Sequence, residues 1–438
     1  MTSRLFRMRE PLRLLPLCLL LALACACGED RTYEYDEKTG CGHWMEEVMR
    51  ANYLWGDSLE ELSWKKYFGK PATILGYFTA QAPVTDSWSW CAIDTVEDDG
   101  HERGYFNHFD SYGLDFVVMT DPTGATSRQY ARIMTVYAGS PADRCGLERG
   151  DFVAYIDGSK FTSSLASRLQ SGASRTLVVN KLGVDEAESA FEWTSVDTLT
   201  LAASEYVEDR PFPVVRTFEK SVGKVVYLQC NRLTEGPTEV DSTSVAYETE
   251  LHSVLASIAA QEPYALVLDL RLCNDGTLGM ARQLASYLAS GATSSDLFAT
   301  TFYRTDLADQ NEQVAYDANA LGKNLGLTEL YVITSGYTTG AGEWLIRGLQ
   351  NTCGADFIAT LGTATAGQNV MTKPFANPQY YVTLHPVVAY VGDGSGDYDY
   401  ADGIDPDAEL DETTYVNLYP YGDSREALLS LVLSQWDE

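Results

Sequence analysis

Hydrophobic residues change period along this chain, and the changes divide it. Between residues 41 and 78, Trp44, Val48, Met49, Tyr53 and Leu54 recur at the spacing of one helix face. From about 110 to 190 the pattern becomes that of short strands. One runs from Arg132 to Val136 and another from Phe152 to Ile156, the latter followed by Asp157-Gly158, a hairpin turn signal. After about Val214, apolar runs near Gly223, Ala265, Leu330 and Phe357 alternate with amphipathic stretches near Glu248, Met280 and Leu428. Strands apolar on both faces belong to a sheet covered on both sides, so this third part is predicted to be an α/β core.

At 438 residues, with 45% apolar and 21% charged residues, the chain can bury two or three separate cores. Its formal charge of −31 counts against nucleic acid and anionic lipid as partners, since phosphate recognition needs clustered Lys and Arg. Basic residues do gather at the start. Arg4, Arg7, Arg9 and Arg13 precede a short apolar run, Leu14 to Ala24, that is too short to span a bilayer and fits an export signal. Ala24-Cys25-Ala26-Cys27 closes it and resembles a bacterial lipoprotein signal, with Cys27 as the lipidated residue and Cys25 as its alternative. This predicts an exported cell-envelope or outer-membrane protein, held to the membrane only by an N-terminal lipid.

The domain plan expected is a signal over 1–27, a polar tether over 28–40 and a helical N-terminal domain over 41–105. A β-rich domain over 110–195 and an α/β core over 214–438 follow. The six later cysteines (Cys41, Cys91, Cys145, Cys230, Cys273 and Cys353) lack zinc-site spacing, and Cys145 and Cys230 sit in apolar surroundings expected of buried thiols. No metal site or cofactor is predicted. The histidines show no metalloprotease pairing and are expected to be structural or on the surface. Asp393, Asp397, Asp399 and Asp402 fail the EF-hand register and are expected to form a solvated acidic loop.

Several motifs resemble the tail-specific, or C-terminal processing, serine peptidases. The segment from Leu330 to Glu343, LYVITSGYTTGAGE, resembles the strand, turn and helix that carry the family's catalytic serine. Glu343 is kept, but Gly340 stands at the nucleophile position. The family's lysine-bearing loop corresponds to Thr365-Ala366-Gly367-Gln368-Asn369-Val370, with Gln368 at the lysine position. A Ser/Lys dyad needs a hydroxyl and an amine that takes its proton. Neither Gly340 nor Gln368 supplies one. The family's oxyanion-loop pattern is altered as well, to Cys273-Asn274-Asp275-Gly276, where Asp275 is expected to bring an unfavourable negative charge.

Gly139 to Asp151 (GSPADRCGLERGD) closely resembles a PDZ-domain motif, and Tyr112-Gly113-Leu114-Asp115-Phe116 its peptide-receiving loop and strand. The resemblance implies a tail-specific-peptidase core with an inserted PDZ-like domain and a small helical N-terminal domain. It further implies a protein that binds polypeptide C-termini by strand addition, its catalysis impaired. The alternative expectation is an active peptidase using Thr338, Thr339 or Ser335, with Lys373 as its amine.

Overall fold

The computed structural model describes residues 32–93, 110–185, 190–237 and 243–437. Cys25, Cys27, His101 and His108 lie outside the described residues. The helix Thr32–Asn52 takes in most of the expected tether. Tyr35 sets its ring edge against Phe68 at 5.5 Å, and buried Thr39 returns its hydroxyl to the Tyr35 carbonyl at 2.8 Å. These contacts make the helix begin earlier than composition suggested, leaving residues 28–31 of the tether outside the described residues.

A second helix, Pro71–Thr79, and the strand β1 (Trp90–Ile93) complete the N-terminal part, with residues 94–105 outside the described ones. This part does not close a core of its own. Met45, Met49, Tyr53 and Phe78 pack with Val370, Leu384 and Val387 from far along the chain.

A β-rich unit follows, built from β2 (Asp110–Ser111), β3 (Leu114–Thr120), β4 (Gln129–Val136), β5 (Phe152–Ile156), β6 (Ser159–Lys160), β7 (Arg175–Asp185), β8 (Ala190–Leu201) and β9 (Glu205–Tyr206). The order β3-β4-β5-β7-β8 leaves β3 at one end of the sheet. The predicted Asp157-Gly158 turn joins β5 to β6, both residues at positive φ (52° and 77°), the geometry of a tight two-residue hairpin. Ile133, Val153, Ile156, Leu177 and Val179 form this unit's own core.

In the last part β10 (Val215–Lys220), β11 (Gly223–Gln229) and β12 (Ala265–Asp269) lead to β13 (Leu297–Tyr303) and β14 (Glu312–Ala315). Then come β15 (Glu329–Thr334), β16 (Ile358–Gly362), β17 (Val370–Thr372), β18 (Phe375–Asn377), β19 (Val382–His385), β20 (Val387–Asp393) and β21 (Ala408–Glu409). The central sheet runs β10-β11-β12-β15-β16-β21, and β11, β12, β15 and β16 are parallel. All five residues of β12 are buried, as its unbroken apolar run requires. The helices Ala246–Ala259, Leu278–Leu288 and Ala341–Cys353 contribute to the larger core cluster, and Ala427–Ser434 packs with residues of the sheet in another. Two antiparallel sheets, β14-β13-β20-β17 and β1-β19-β18, flank this core.

Buried charge joins the β-rich unit to the core. Arg132 of β4 is 1% exposed and donates to the carbonyls of Thr413, Tyr415 and Val416. Arg149 pairs with Glu412 at 2.5 Å, and Glu412 also pairs with Arg271 of the core. Arg271 in turn holds Asp269 at 2.6 Å and Glu426 at 2.9 Å.

Candidate active site

The site is assembled where β15 turns into the helix Ala341–Cys353. Parallel pairing sets β15 between β12 and β16, so the loops leaving the three strands meet at one end of the sheet. Three hydrogen bonds fasten the β15 turn to the loop after β12. Thr338 Oγ1 donates to the Leu270 carbonyl at 2.8 Å, Ser335 Oγ to that of Arg271 at 2.7 Å, and the Thr339 amide to that of Cys273 at 3.0 Å. The hydroxyls of Thr338 and Ser335 thus donate to backbone carbonyls, and neither residue lines the cleft beside Gly340.

Gly340 starts the helix at φ 42°, ψ −103°, a left-handed conformation costly for residues with a side chain. Facing it is Gln368. A Cβ added at Gly340 would stand 3.0 Å from Gln368 Oε1 and 3.3 Å from its Nε2. Gly340 and Gln368 are thus brought together, 28 residues apart in sequence.

Glu343 is what holds them. It is fully buried and accepts four hydrogen bonds. Oε1 takes Thr365 Oγ1 at 2.5 Å and the Gly367 amide at 2.6 Å; Oε2 takes the Gln368 amide at 2.7 Å and the Gly340 amide at 3.0 Å. Burial pushes its carboxyl above the usual carboxylate range, and the four donors oppose that rise. Glu343 is absent from the wall of the neighbouring cleft. It positions the two loops and does not face the site.

The cleft has a volume of about 930 Å³. Gly340, Gln368, Thr339 and the loop Asn274 to Gly276 form one wall; Trp88, Trp90, Met371 and His385 form another. Gly276 is required there, because a Cβ on it would lie 2.6 Å from that of Ala341. Asp275 does not stand as a bare charge, since it pairs with Arg232 at 2.8 Å. Lys373 is turned away, its ammonium 4.8 Å from the ring centre of Tyr303, and does not line the cleft.

His385 was not singled out from the sequence. Its ring stacks on Trp90 at 3.7 Å, and burial lowers its pKa from 6.5 to about 4, which keeps the imidazole neutral near pH 7. The signal available was the alternation of Trp88 and Trp90, which sends both side chains to the same face of an extended segment.

Of the peptide-loop residues, Tyr112 is fully buried and donates its hydroxyl to the Ala173 carbonyl. Gly113, at φ 72°, approaches Ser140 so closely that a Cβ would lie 2.1 Å from the serine Cβ. Leu114 and Phe116 face the unit's own core, while Asp115 is exposed and accepts from the Tyr137 hydroxyl at 3.0 Å. Cys145 is half-buried instead of fully buried, unlike Cys230. The acidic loop is organised by a cation: Arg347 pairs with Asp397 at 2.6 Å and Asp393 at 3.3 Å.

Residues 224–410 match the model of peptidase family S41. Among solved structures, a Bacteroides fragilis protein assigned to the S41 proteases is 28% identical, with a TM-score of 0.77, over 90% of this chain and 96% of its own. The photosystem II D1 C-terminal processing protease is 16% identical, with a TM-score of 0.49, over 88% of this chain and 94% of its own. No curated protein matches the chain. Residues 224–410 therefore form a peptidase family S41 domain, and the fold around it is similar to that of the Bacteroides fragilis protein.

Proposed function

We propose that this protein is an exported lipoprotein of family S41 that binds polypeptides without cleaving them. The observation that carries the proposal is the contact of Gly340 with Gln368 in one cleft, where the family pattern sets a serine beside a lysine. Glycine supplies no nucleophile, and a carboxamide has no proton affinity near neutral pH, so acyl transfer has neither half of its dyad.

The β-rich unit is taken as a PDZ-like domain inserted between the helical N-terminal domain and the peptidase core. Among the described residues its end strand β3 is paired only with β4, which leaves an edge that an extended polypeptide C-terminus can join as an added strand. Cys27 is the proposed lipid attachment point and the cell envelope the proposed location. Titrating the purified protein with extended apolar peptides ending in a free carboxylate tests the binding. The expected result is saturable binding, with the peptide recovered intact. Failure of any such peptide to bind contradicts the proposal.

A second reading is favoured by one observation. Thr339 lines the cleft, as does the neutral imidazole of His385. A peptidase acting through Thr339 is separated from the first reading by the Thr339→Ala variant.

A further inference from the structure

We infer that the peptide held on the β3 edge presents a lysine or arginine side chain, and that Asp115 selects it. The inference rests on the peptide-binding reading above and adds the chemical class of the ligand.

Leu114 and Asp115 of the end strand β3 line a chamber of about 380 Å³. Tyr137 also lines it, as do Asp209, Arg232 and Asp275. Three carboxylates and one guanidinium therefore line the chamber, and Asp209 also accepts from the Asn231 amide at 2.8 Å. The guanidinium is committed, with Arg232 Nη2 2.8 Å from Asp275 Oδ2. Asp115 accepts from the Tyr137 hydroxyl at 3.0 Å, and this bond opposes the rise in its pKa that burial causes.

A strand added to β3 sends every second side chain toward the same side. A lysine or arginine there can lay its methylene stem along Val207, which lines the chamber, with its cationic head beside Asp115. A ligand carboxylate in the same place meets a like charge. The surplus negative charge of the whole chain, −31, also draws cationic partners toward the groove.

The test measures fluorescence anisotropy of labelled peptides on the full chain. An acetylated, amidated apolar peptide with one central lysine is compared with its Lys→Gln and Lys→Glu counterparts, and with the free-acid form of the Lys→Gln peptide. The lysine peptide is expected to bind at least tenfold tighter than the glutamine peptide, with the glutamate peptide weakest. Raising salt to about 0.5 M is expected to shrink that ratio, because exposed charges are then screened. Asp115→Asn, which can keep the Tyr137 hydrogen bond, is expected to bring the lysine peptide to within about threefold of the glutamine peptide. Equal binding of the lysine and glutamine peptides overturns the inference and leaves peptide binding standing, as does a lysine preference that survives in Asp115→Asn. Failure of all four peptides to bind overturns the inference together with the reading beneath it.

Discussion

The turn at Gly340 has two faces, and they have fared differently. Its buried face is complete: Glu343 collects four donors and ties the helix start to the Gln368 loop. Its cleft face offers no hydroxyl at Gly340 and no amine at Gln368. On the reading proposed above, the support of this turn and its chemistry are separable. A buried polar network that anchors two loops contributes to stability whatever the cleft face carries.

The largest effect expected lies on the buried face. Glu343→Ala strands three backbone amides and the Thr365 hydroxyl, and unpaired buried donors cost about 1–3 kcal/mol each. Because such losses overlap, a total destabilisation of roughly 3–5 kcal/mol is expected in urea titration, the scale of a broken buried polar network. A loss below about 1 kcal/mol would show that Glu343 does not hold the two loops.

The cleft face is predicted to answer to pH instead. His385 has its pKa lowered to about 4 from 6.5, so the unfolded chain binds the proton first. Stability from this group is complete above pH 6.5 and is lost as pH falls toward 4. The difference in pKa corresponds to about 3 kcal/mol at most. Denaturant midpoints between pH 7 and 4 check it against His385→Phe, which should flatten that part of the profile. Parallel profiles in both proteins would place the acid sensitivity elsewhere.

A smaller cost is expected at Gly340 itself. With φ at 42°, Gly340→Ala pays left-handed strain of roughly 1–2 kcal/mol, while the Gln368 side chain can yield to the new Cβ. Gly340→Ser should cost a similar amount. An unchanged thermal midpoint in both variants would mean that the turn can relax to negative φ.

These contrasts follow what the sequence could disclose. Runs such as Ala265 to Asp269 and Leu330 to Ile333 announced a covered parallel sheet because every residue in them is apolar or paired within it. Gly340 and Glu343 were legible because fixed spacing within a strand–turn–helix motif keeps their register, and Gln368 because the Thr365-to-Val370 loop has a register of its own. The cleft wall opposite them was not. Trp88, Trp90 and His385 come from segments almost 300 residues apart that meet only through β1–β19 pairing, and no local period encodes that meeting. The N-terminal helices likewise looked self-contained, because their partners Val370, Leu384 and Val387 lie at the far end of the chain. Asp275 seemed disruptive only until the fold supplied Arg232.

Incubating the purified protein with an unfolded protein substrate tests whether the family S41 domain turns over. Thr339→Ala and Thr338→Ala variants are incubated in parallel, each also exposed to a serine-directed covalent probe. The account predicts no cleavage above background in any of the three and no labelling. Robust cleavage by the parent that vanishes in Thr339→Ala would contradict it and make that threonine the nucleophile.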